Sequence, residues 1–166
     1  TKALEVMKLE SILAEIEGGK GPARDPELYF FGIFGDPKDD AWGWKAEGHH
    51  LSLNFTLVGG KRAAAAPLFL GANPAEVRSG PRKGLRVLSR EEDLGRELVK
   101  SLDARRLSLA VISKTAPADI VTGNARKIEP LPKEGIPASE LTEPQAARVR
   151  ALIGEDAADF PDDIAA

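Results

Sequence analysis

The chain has 166 residues, 42% hydrophobic and 30% charged, which is enough apolar content for a globular domain with its own core. A net charge of −3 and an isoelectric point near 5.5 argue against a general nucleic-acid or anionic-membrane binder, since those concentrate Lys and Arg on one face. The lack of cysteine removes disulfides, thiolate ligands and cysteine nucleophiles, and no apolar run approaches the roughly 18 residues of a membrane span.

The opening "TKALEVMKLESILAEIEGG" has no initiator Met and no signal-peptide core, so the 166 residues are expected to be a single domain or an interior fragment of a larger one. The same segment predicts an amphipathic helix over 3–17. Val6, Leu9, Leu13 and Ile16 recur at spacings of three and four, Ile12 widens the stripe, and Gly18 with Gly19 supplies the stop. "ELYFFGIF" (27–34) is rich in aromatic and β-branched residues and predicts a buried strand, with "GDPKDDA" (35–41) as the turn that follows. From Trp42 to Leu57 the pattern predicts one long strand or a bent strand pair. Alternation there sets Leu51, Leu53, Phe55 and Leu57 on one face and Ser52, Asn54 and Thr56 on the other. "GGKR" (59–62) turns the chain, and "APLFLGAN" (66–73) predicts a third strand ending at an Asn-Pro break.

The hydrophobic period then changes. "SREE" (89–92) reads as a capping box opening a helix with Leu94, Leu98 and Leu102 on its apolar stripe. A shorter helix from Asp103 buries Leu107, Ala110 and Val111, and "TEPQ" (142–145) opens another with Val149, Leu152 and Ile153. Residues 115–137 read as mostly loop. Strands grouped ahead of helices predict an α+β fold, an antiparallel sheet packed against several helices.

"RDPELYFFGIFG", "WGWKAEGHHLSLNF", "FLGANPAEVRSGPRKGLRVLSREEDLGRELVKSL" and "PADIVTGNAR" occur in that order and resemble the uncharacterised family known as domain of unknown function 3500, along nearly the whole chain. The family name carries no activity. The resemblance implies an interior portion of a longer protein whose distal histidine-bearing segment lies outside these residues, and the "GHH" at 48–50 matches the family motif.

His49 and His50 are the candidates for chemistry. Carried backward, the strand alternation puts Glu47 and His49 on the side of Leu51 and His50 on the side of Ser52, unless a bulge at Gly48 resets the register. The rings should then diverge. Adjacent histidines on a regular strand cannot share an ion, whereas Glu47 and His49 can hold one divalent transition metal, leaving His50 as acid or base. Two ligands are fewer than the three that catalytic zinc needs. The plainer alternative makes His49 a hydrogen-bonded strand residue and has His50 bind a neighbouring backbone group.

Arg78, Arg82, Lys83 and Arg86 punctuate a Gly/Pro loop that could cradle a small-molecule carboxylate or phosphate, without Walker spacing, and that reads equally as a solvated basic loop. Trp44, with Trp42, could wall a ring-shaped ligand or form one face of a core. Two classes of function follow. One is a metal- or His-assisted enzyme acting on a small organic substrate. The other is a non-catalytic binding module of a larger secreted or envelope protein, whose polar sheet face and Trp pair bind a partner or glycan. Metal content separates them.

Overall fold

The computed structural model describes residues 1–123, 125 and 127–165, so Asn124 and Arg126 of the "PADIVTGNAR" motif lie outside the described residues. The chain forms two compact units, Thr1–Glu92 with Gly154–Ala166 and Asp93–Ile153.

In the first unit, α1 spans Lys2–Glu17 and closes at Gly18, whose N–H bonds the Glu15 carbonyl at 3.2 Å. Val6, Leu9, Ile12 and Leu13 are buried as the stripe requires, while Ile16, at 57% exposed, falls off its end. Glu10 is buried among them at 3%. Helical spacing explains this, since positions 6, 10, 13 and 17 stack along one face.

The strands are β1 (Phe30–Phe34), β2 (Ala41–Gly48), β3 (Leu51–Val58), β4 (Lys61–Ala64) and β5 (Leu68–Leu70). They form one antiparallel sheet in the order β1-β2-β3-β4, with β5 also paired to β3. The stretch expected as one strand or a bent pair is thus a hairpin, in which Gly48 faces Leu51 and His49 with His50 makes the two-residue turn. "GGKR" is half turn and half strand. Gly59 and Gly60 hold φ of 59° and 72°, a two-residue hairpin conformation that glycine enters without a steric penalty, and Lys61 already belongs to β4.

The expectation of a buried first strand is corrected. Phe30, Phe31, Ile33 and Phe34 are 67%, 78%, 65% and 56% exposed, because β1 is an edge whose described partner is β2 alone, and α1 covers the sheet elsewhere. Cover is complete where Ala46 and Leu51, each 4% exposed, share a face with Leu68 and Leu70. The basic loop is folded onto α1, since Val77 joins Leu9 and Ile12 in a buried cluster backed by Ala72, Leu85 and Val87. Lys2 ties the start of α1 to Glu91 at 2.5 Å, Asp159 at 2.6 Å and Glu155 at 3.3 Å.

The second unit carries most of α2 (Ser89–Ser101) and α4 (Glu143–Ala157), together with α3 (Ala104–Ala110) and a 3-10 turn at Ala138–Glu140. Asp103 caps α3 by accepting the Arg106 N–H at 2.9 Å. Gln145 serves two ends at once: its Oε1 accepts the Thr142 N–H at 3.0 Å, as the capping pattern predicts, and its Nε2 donates to the Ser101 carbonyl at 2.8 Å. A last short helix, α5, spans Asp162–Ala165 in the first unit. The architecture is α+β with an antiparallel sheet, and among the described residues no helix is long and apolar enough to cross a membrane.

Candidate metal centre

The site is built around a close approach at the end of β2. Tyr29, 9% exposed, lays its ring over Gly48, where a Cβ would stand 2.2 Å from the ring Cδ1. Only glycine leaves room. So placed, the phenol donates to Glu10 Oε1 at 3.2 Å and accepts from the His50 backbone N–H. Burial above all, then the Glu10 charge and the hydrogen bond to it, push the Tyr29 hydroxyl up to about 12, so it stays a donor.

The two-residue turn brings its imidazoles together, with ring centroids 3.7 Å apart and planes inclined by 37°. His49 Nδ1 lies 3.1 Å from Glu10 Oε1 and 3.4 Å from Oε2. One ligand atom from each of Glu10, His49 and His50 lies within 4.8 Å of the other two. The His50 carbonyl accepts the Gly71 N–H at 2.8 Å, which fixes the turn to the chain beyond β5. Burial, with the neighbouring His49 adding to it, holds the His50 imidazole below its usual range, and the neutral ring this favours is the form that ligates metal.

A guanidinium completes the cluster. Arg24 Nε and Nη2 grip the Glu17 carboxylate at 2.9 and 2.8 Å, and Nη1 reaches 2.9 Å from both Nδ1 and Nε2 of His49. The hydrogen bond from Arg24 holds Glu17 below the usual carboxylate range. Glu17 follows Glu10 by seven residues and so lies on the same face of α1.

The expectation of diverging rings is corrected, because it carried strand alternation through residues that form a turn. The reversal also flips the parity. Glu47 sits opposite Ser52 on the polar face, and its carboxylate bonds Lys45 Nζ instead of turning toward His49. Glu10 stands where Glu47 was expected. Arg78 is exposed, Arg86 pairs with Glu92 at 2.9 Å, and Arg82 lines a cleft of about 140 Å³ with Ser11, Glu15 and Val77. By helical spacing, Ser11 and Glu15 lie well round α1 from Glu10. Trp44 stacks on Phe55 with centroids 4.5 Å apart. Glu10, Arg24, Tyr29 and Glu17 escaped the sequence reading, although a carboxylate within the apolar stripe of α1 was a signal for the first.

These features define an α+β protein in which a buried helix carboxylate faces two turn histidines. Over residues 1–166 the chain matches the family described as protein of unknown function (DUF3500), and it belongs to that family. No curated protein and no solved structure matches it.

Proposed function

We propose that Glu10, His49 and His50 hold a divalent transition metal in an enzyme acting on a small organic substrate. One observation carries the reading: three ligand atoms from α1 and the β2–β3 turn meet within 4.8 Å, although His49 is 39 residues from Glu10 in the chain. The carboxylate is 3% exposed. A charge buried this far is costly unless hydrogen bonds and a cation compensate it. Tyr29 and His49 supply the bonds, and a metal ion would supply the charge. The 3.1 Å between Nδ1 and Oε1 suits two adjacent ligands of one ion, each about 2.1 Å from it.

Two histidines and one carboxylate leave further positions for water and substrate. The exposed His49 gives the side from which they enter. An ion so held would polarise a substrate oxygen or lower the pKa of bound water, and His50 serves as a ligand in this reading, with the acid–base role passing to that water. The test is metal analysis of the purified protein followed by Zn²⁺ titration. Stoichiometric binding that Glu10→Gln and His49→Ala each abolish supports the centre. A protein that takes up no metal favours the non-catalytic binding module, which the exposed apolar edge of β1 supports independently.

A further inference from the structure

Arg24 is not a ligand, yet its Nη1, which takes no part in the grip on Glu17, lies against one. Nη1 is 2.9 Å from both Nδ1 and Nε2 of His49, a position over the ring that no in-plane lone pair reaches, while Glu10 is the partner of Nδ1 at 3.1 Å. The ring therefore takes no directed hydrogen bond from Nη1, whose N–H groups face the cluster and can donate to a ligand there.

Arg24 cannot drift away, because Glu17 holds it through two bonds. Its Nη1 N–H groups therefore stay beside the cluster. Charge points the same way: the Arg24–Glu17 pair is neutral, and one carboxylate against a divalent ion leaves a net positive charge. We infer that Arg24 is the anion-binding residue of this centre, and that the ligand it receives carries a carboxylate or phosphoryl group bridging guanidinium and ion. The inference rests on the metal reading above.

The experiment uses the intact protein with Co²⁺ as the metal and acetate or inorganic phosphate as the anion, followed by calorimetry and by the cobalt absorption band. In the wild type, Co²⁺ should raise affinity for one of the two anions by at least about tenfold, and the preferred anion separates a carboxylate from a phosphoryl ligand. Arg24→Gln should lose that gain. It should also bind Co²⁺ itself more tightly, on the order of tenfold, because a cation beside a ligand of the ion is removed. Arg24→Lys, which keeps the charge but not the fork, should retain part of the anion response and guards against a folding defect in the first variant. Cobalt-loaded Arg24→Gln that binds both anions as tightly as the wild type overturns the role of Arg24 and leaves the centre standing. Failure of the wild type to bind Co²⁺ removes the centre, and this inference with it.

Discussion

The two ends of the β2–β3 hairpin are made of the same two strands and could hardly differ more. At the turn, Ala46, Leu51, Tyr29 and Glu10 are all within 9% exposure, whereas at the far end Val58, Phe34 and Ile33 are 45%, 56% and 65% exposed. The difference is cover. Tyr29 and α1 close over the turn, and the far end has no comparable lid among the described residues. Polar groups are fixed in place only where water is excluded, because a buried donor or acceptor left unpaired costs about 1–3 kcal/mol while an exposed one re-pairs with solvent. The end that gathers Glu10, His49 and His50 is thus the end that carries the core, and substitutions at the two ends should differ accordingly.

The largest contrast is expected in metal affinity. Glu10→Gln keeps the shape of the side chain and removes the charge, and should weaken Zn²⁺ binding by at least about a hundredfold in a competition titration with a chelator. Glu47→Gln should leave it unchanged, since Glu47 is engaged with Lys45. Equal losses in both variants would erase the distinction between the ends. Next comes Gly48→Ala, whose methyl would overlap the Tyr29 ring at 2.2 Å. Displacing that ring should cost about 2 kcal/mol in urea unfolding, and an unchanged midpoint would mean the ring is not held there.

Tyr29→Phe should cost less, about 1 kcal/mol, for the hydrogen bond withdrawn from a buried carboxylate. It carries a pH signature as well. The native hydroxyl titrates at about 12 against an ordinary 10.0, so its contribution to stability is complete below pH 10 and is lost as pH rises from 10 toward 12. Thermal melts at pH 9 and pH 11 should show that loss in the wild type and not in the variant. Smallest of all, Ile33→Thr on the open edge should change stability by no more than about 0.5 kcal/mol. A cost above 1 kcal/mol would show that this end is packed in solution.

Much of the fold was legible because local patterns and the tertiary structure agree. The apolar stripe of α1 from Val6 to Leu13, the helix start at Asp103, the capping role of Gln145 and the alternation from Leu51 to Leu57 each match the observed element. What misled was the turn. His49 and His50 contain none of the Gly, Asn or Asp that usually mark a two-residue hairpin, and among the described residues no non-glycine residue has positive φ. The turn is pinned by Tyr29, Glu10 and Gly71, which lie far off in the chain, so local pattern read straight through it. The two histidines were legible as candidates for the same reason that their geometry was not: residue type is local, and convergence is tertiary. Glu47 was the nearest carboxylate along the chain, but Glu10 is the nearest in space.

The burial of Glu10 also bears on how α1 is seated. A helix whose hidden stripe is wholly aliphatic can roll about its axis by tens of degrees and still cover a sheet, because dispersion and solvent exclusion are not directional. A carboxylate in the same stripe allows no such latitude: it finds the Tyr29 hydroxyl and His49 Nδ1 at one angle of roll, and at any other it is a stranded charge. Glu10 thus acts as the key that fixes the helix's rotation, and through Glu17, two stacking positions further along the same face, it fixes where Arg24 can stand.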